Sequence, residues 1–214
     1  MFEIFKDTHK IIGKHIHENI YDIYGIKLDE NKLLWGSVSP DVYPKYRFHR
    51  HYKKESLDYV ASEIAKLVFI SRLCDFDGRM DPILSKLLSY RLGVVSHYLS
   101  DFVCLPHAER WTFSTNMVKH INYESKLNDY AIHHEFKKNV ITVDDIDIFR
   151  DRVIRLKPII KQFIEDVVEE YSLKTGYEND LNFALSLNLK LAYFVIDTAK
   201  AYKLGAYKHF AFEF

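Results

Sequence analysis

Two pairs of residues stand out in this chain for what they could hold, His97 with Asp101 and His120 with Glu124. In each, an acidic residue follows a histidine by four positions. On a helix that spacing puts imidazole and carboxylate on one face, within reach of a single cation. One such pair is ordinarily no more than a surface hydrogen bond. Two pairs this close together are harder to dismiss, and Leu105-Pro106-His107 lies between them. Pro106 ends the preceding helix and would turn the next imidazole back toward that helix end. His97, Asp101, His107, His120 and Glu124 are therefore candidate ligands on three consecutive elements. Imidazole nitrogen and carboxylate oxygen are zinc donors, and catalytic zinc sites keep a position for water. A carboxylate bridging two ions supports a multi-metal site, where water is activated and a phosphoryl displacement is clamped from both sides.

No cysteine set competes for the metal. Cys74 and Cys104 sit in apolar helical surroundings and read as buried thiols. The adjacent His133 and His134 invite comparison with HD-type metallophosphohydrolases, but no His-Asp dipeptide occurs in the chain, and that family is set aside.

The elements that must carry these residues read as all-α. Only 7 Gly and 5 Pro interrupt the chain, and apolar residues recur at helical spacing rather than in alternation. A first helix is expected from Lys6 to Tyr24. Another starts near Ser56, with Leu57, Val60, Ala61, Ile64, Leu67 and Val68 on one stripe. Asp81 is a good N-cap and Pro82 a good first residue for a helix running to Val103. Further helices are expected from about Asn116 to Lys138, from Thr142 with Asp145 as a capping box and a kink at Pro158, and from about Asp180 to Lys203. The segment Trp35 to Pro44, rich in turn formers, is expected to be irregular.

Composition bounds the class of protein. A chain of 214 residues that is 48% hydrophobic can bury one substantial core, and a single domain spanning 1–214 is expected. Lys+Arg and Asp+Glu both number 30, so no global field favours nucleic acid. The first residues lack the charge and apolar pattern of a secretory signal, and no apolar run approaches the roughly 20 residues of a membrane span. A cytoplasmic protein is expected, or a secreted one if the sequence is an already processed form.

The string Leu92-Gly93-Val94-Val95-Ser96-His97-Tyr98-Leu99-Ser100-Asp101, followed by Pro106-His107 and His120-Ile121-Asn122-Tyr123-Glu124, resembles the zinc-dependent phospholipase C family in order and spacing. That family includes secreted bacterial phosphatidylcholine-hydrolysing enzymes and clostridial lecithinase toxins. Fungal single-strand nucleases use a similar site. The resemblance runs roughly from Thr8 to Glu124 and is most specific from His97 onward. It implies an all-α catalytic domain and as many as three zinc ions. One ion would take His107, His120 and Glu124. Asp101 would bridge the other two, one of which would also take His97, Asp41 and a histidine soon after it. Both His49 and His51 are available for that place; His51 is preferred, because its gap from Asp41 is closer to the family's and it adjoins the Ser56 helix. Asp41 would also be the general base.

The chain departs from the secreted enzymes at the third ion, which they bind through the amine and carbonyl of an N-terminal tryptophan. No tryptophan is available here. His9 matches the family's first histidine, and the Met1 amine could do the same backbone chemistry; otherwise the site holds two ions, with His9 a weak or vacant position. The implied activity is zinc-dependent hydrolysis of a phospholipid head-group phosphoester. Alternatives are hydrolysis of another phosphoester, nucleic acid being disfavoured by the charge, and a non-catalytic zinc-binding scaffold. His15, His17 and His209 read as surface or packing residues. Trp35, Trp111 and the other aromatics could form a cleft wall or a lipid-facing rim but read mainly as core. The tail Phe210, Phe212 and Phe214 is the best candidate for a lipid or partner contact, such as transient contact with a membrane surface, and docking onto its own domain would explain it equally well. Nothing resembles the C-terminal lipid-binding domain of the toxins.

Overall fold

A computed structural model of the chain describes residues 6–147 apart from 77 and 79, together with 154–203 and 210–211. It is all-α. The helices are α1 (Lys6–Tyr24), α2 (Glu30–Val42), α3 (Lys53–Ser71), α4 (Pro82–Phe102), α5 (Leu105–Ala108), α6 (Phe113–Ala131), α7 (Leu156–Ser172) and α8 (Tyr177–Lys203). Among the described residues the only extended pairing is a two-residue parallel contact of Ile154–Arg155 with Phe210–Ala211. Met1 lies outside the described residues, as do His209, Phe212 and Phe214.

Most of the expected helices form where their periodicity places them. The α3 stripe from Leu57 to Val68 is buried, as are Phe183, Leu187, Leu191 and Val195 of α8. Helix α8 is buried on almost every side because α1, α3, α4 and α7 pack around it. Asp81 caps α4 by accepting from the N–H groups of Ile83 and Leu84 at 2.8 and 3.0 Å. Both cysteines are buried and unbridged.

Three expectations are corrected. The segment from Trp35 to Pro44 is not an irregular loop, since residues up to Val42 belong to α2, with Pro40 inside it. Asp29 caps this helix, and Ser37 and Ser39 turn their hydroxyls back onto the carbonyls of Leu34 and Trp35. Burial against α4 outweighs the low helix propensity of these residues. The helix expected to reach Lys138 stops at Ala131. Beyond it the chain runs along α8, whose Asn182 and Ser186 side chains accept from the N–H groups of Lys137 and Val140. No helix starts at Thr142: its N–H and hydroxyl donate to Glu170, and Asp145 pairs with Lys190 at 2.6 Å. Pro158 consequently sits in the first turn of α7, where a missing N–H costs no helical bond.

Helices α2 and α4 run side by side in the same direction. Asp29 N donates to Ser89 Oγ at 2.9 Å, and two turns further on the Ser37 carbonyl meets His97. Gly36 and Gly93 make this approach possible. A Cβ on Gly93 would stand 2.2 Å from the Leu33 carbonyl oxygen, and one on Gly36 would stand 2.2 Å from that of Tyr90.

Candidate metal centre

Helix α4 presents His97 and Asp101 from its last turns, fully buried at 0% and 4% exposure. His97 Nδ1–H donates to the Ser37 carbonyl at 2.9 Å, which leaves Nε2 facing the cluster. This is the outer contact that orients a metal-ligating imidazole. The close passage of α2 that brings the carbonyl to His97 also carries Asp41 to the same place, with Oδ1 3.5 Å from His97 Nε2. Past α2 the chain returns His51, whose Nδ1 lies 3.1 Å from His97 Nε2 and 3.6 Å from Asp41 Oδ1. His49 points elsewhere and stacks on Tyr59 with ring centroids 3.8 Å apart. His9, on α1, stacks on His97 at 4.1 Å and puts Nε2 3.5 Å from Asp101 Oδ1.

The second group is built from α5 and α6. Pro106 sits in the first turn of the short α5, which turns His107 inward; its Nε2 lies 2.9 Å from Glu124 Oε1. On α6, His120 and Glu124 share a face as their spacing requires, 2.8 Å apart. His120 Nδ1–H donates to the Trp111 carbonyl at 2.8 Å, so this ring too is oriented from behind. Asp101 joins the two groups. Its Oδ2 lies 2.9 Å from His51 Nδ1 and 3.3 Å from His97 Nε2, while Oδ1 lies 3.8 Å from His107 Nε2.

The protonation balance reflects this crowding. Burial lowers the His97 pKa, but the carboxylates of Asp101 and Asp41 more than reverse it, to about 9. His107 follows the same pattern, raised to about 9 by Asp101 and Glu124 against its burial. Burial raises the Glu124 pKa, yet hydrogen bonds from His107 and His120 bring it to about 2. Asp101 is likewise held well below the usual carboxylate range, the charges of His97 and His107 overcoming burial. Burial and the neighbouring charge of His97 push His9 down to about 4, so its ring is neutral at pH 7.

These residues fit zinc. His9, Asp41 and His97; His51, His97 and Asp101; and His107, His120 and Glu124 each bring three donor atoms within 4.8 Å of one another. Asp101 Oδ2 is buried and makes no aligned hydrogen bond despite its close neighbours. A buried carboxylate oxygen in that condition is satisfied by a paired charge or by a metal ion, and this donor set suits the second. Facing nitrogens such as those of His51 and His97 repel unless a proton or a metal lies between their lone pairs.

The sequence profile described as zinc dependent phospholipase C matches residues 8–178. The chain belongs to the zinc-dependent phospholipase C family. No curated protein and no solved structure matches it. The matched stretch contains every candidate ligand named above other than Met1, which lies outside the described residues. The carbonyls of Ser37 and Trp111 that orient two imidazoles are not legible in the sequence, since a main-chain acceptor has no residue-type signal. The glycines Gly36 and Gly93 were the available hint of a close helix approach.

Proposed function

We propose that this chain is a zinc-dependent phosphodiesterase that hydrolyses the head-group phosphoester of a phospholipid. The observation that carries the reading is the shared carboxylate of Asp101, which links two ligand sets so closely that both can act on one phosphate. Zinc bound there would lower the pKa of water and neutralise charge developing on phosphate oxygens. The protein's own residues do the rest. His51, His97 and Asp101 would hold one ion and His107, His120 and Glu124 another, with His9 available to a third. Asp41 is half-exposed beside His97 and His51, at the open side of the cluster, and is positioned to take the proton of the attacking water.

Two features favour a lipid over a nucleic acid. The net charge is zero, whereas binding a polyanion draws on an excess of basic side chains. The segment between Asp41 and His51 exposes aromatic rings, with Phe48 90% and Tyr43 50% accessible. These suit an amphiphilic substrate or transient contact with a lipid surface. No helix among the described residues is long and apolar enough to cross a membrane.

The test is hydrolysis of a chromogenic phosphorylcholine ester and of phosphatidylcholine vesicles, with single-stranded DNA as the competing substrate. Activity on the lipid substrates, lost with chelator and reduced about 10²- to 10⁴-fold in Asp41→Asn, is expected. Turnover of DNA alone would replace the substrate assignment. Zinc-replete protein inactive on all three would leave a non-catalytic zinc scaffold.

A further inference from the structure

Asp180 is a buried carboxylate outside the candidate metal centre, 2% exposed, near the start of α8. An acidic residue in a first helical turn is commonplace, being favoured by the helix dipole. Its surroundings here are not. Four donors converge on it, divided between its two oxygens. Oδ1 accepts from the Tyr171 hydroxyl at 2.6 Å and from Gly176 N–H at 3.2 Å, which ties together α7 and the turn before α8. Oδ2 accepts from Leu105 N–H at 3.1 Å and from the Tyr123 hydroxyl at 2.8 Å. Leu105 opens the short helix that carries His107, and Tyr123 immediately precedes Glu124. One oxygen therefore serves the scaffold, while the other grips both elements of a single ligand set. Asp180 also lines a cavity of about 40 Å³ together with His9, Asp101 and Glu124, so it stands directly behind the cluster without belonging to it.

We infer that Asp180 is a positioning residue that fixes His107 and Glu124 relative to each other through Leu105 and Tyr123, and so tunes the ion held by His107, His120 and Glu124. The physical reason is that α5 is a single turn, too short to hold its own orientation, and packs only lightly on α6. A charged acceptor shared by the start of α5 and by α6 supplies the missing constraint, because hydrogen bonds to an ionised group are stronger than neutral ones. Asp180 lies just beyond the residues matched by the family profile, so this contribution comes from the C-terminal helix rather than from the ligand-bearing stretch. The inference rests on the zinc assignment made above.

The two oxygens provide the test. Tyr123→Phe and Tyr171→Phe each delete one hydroxyl bonded to Asp180, that of Tyr171 buried and that of Tyr123 in a partly buried position, but only the first lies on the ligand-set side. Zinc content and stepwise affinity would be measured by chelator competition on the full chain, with His120→Ala identifying the step that belongs to this set. Tyr123→Phe and Asp180→Asn are expected to weaken that step about 10-fold or more. The other step should stay unchanged, and Tyr171→Phe should lower thermal stability without weakening zinc. If Tyr123→Phe binds zinc as wild type does, or Tyr171→Phe weakens it equally, Asp180 is a structural residue only. The tyrosine pair decides the matter even if Asp180→Asn fails to fold. Wild-type protein that binds no zinc would overturn both this inference and the zinc assignment.

Discussion

Replacing Gly93 by alanine sets helix propensity against tertiary packing. In an isolated helix the change would stabilise by about 1 kcal/mol. Here the added Cβ would stand 2.2 Å from the Leu33 carbonyl oxygen, 2.7 Å from Ser37 N and 2.9 Å from Gly36 C, all main-chain atoms that cannot rotate away. Ordinary contact begins at 3.4 Å, so α2 and α4 must separate by about 1.2 Å. Overpacking of this kind costs about 1–3 kcal/mol, and the expected net effect is a loss rather than a gain. For a chain of this size each kcal/mol lowers Tm by about 2–4 °C. The same movement carries the Ser37 carbonyl away from His97 Nδ1. The 2.9 Å hydrogen bond between them would open to about 4 Å, too long to orient the ring. Losing such an outer contact weakens metal binding by about 10- to 100-fold. Chelator competition and thermal denaturation read the two effects separately. Gly25→Ala is the control: Gly25 has φ of 67° and an added Cβ there would meet nothing within 4 Å, so alanine costs about 1 kcal/mol or more of stability without touching the site. A Gly93→Ala protein that gains stability, or that loses it while binding zinc normally, would refute the argument.

Other predictions concern protons, metal and ligand identity. In chelator-treated protein, His97 and His107 titrate near 9 instead of 6.5, so their stabilising contribution is complete below pH 6.5 and disappears as the pH rises through 9. Glu124, lowered from 4.5 to about 2, contributes above pH 4.5 and loses that contribution as the pH falls toward 2; His9, depressed to about 4, opposes folding below pH 6.5. Urea unfolding should show an alkaline decline between pH 6.5 and 9 that zinc suppresses, and a flat profile would contradict the raised imidazoles. Because His97 and His107 must lose their protons to bind metal, zinc uptake at pH 7 should release about two protons per chain, read from the buffer dependence of the binding enthalpy. Zinc at 100 times its Kd should stabilise the fold by about 2.7 kcal/mol per site, raising Tm by roughly 5–11 °C, and an unmoved Tm would argue against a native-state site. Finally, His51→Ala should lose bound zinc while His49→Ala, which removes only a ring stacked on Tyr59, should keep it; the reverse would reassign the ligand.

By itself the sequence determined the helices whose apolar residues repeat at helical spacing and the two His-x-x-x-acid faces, because such relations lie within one helix and depend only on its period. Asp81-Pro82 marked the start of α4 for the same local reason. The tertiary structure decided what depends on a neighbour. It made a helix of Glu30 to Val42 despite Gly36, Ser37, Ser39 and Pro40, since burial against α4 outweighs their propensity. It ended α6 at Ala131 because Asn182 and Ser186 of α8 offered the following backbone other partners. It placed His51 in the cluster and His49 against Tyr59, a choice that their positions two residues apart in the chain left open. The carbonyls of Ser37 and Trp111 and the carboxylate of Asp180 reach the site from helices or turns distant in sequence. Main-chain acceptors and long-range hydrogen bonds leave no period or motif to read, so only the packing of helices could bring them up behind the candidate ligands.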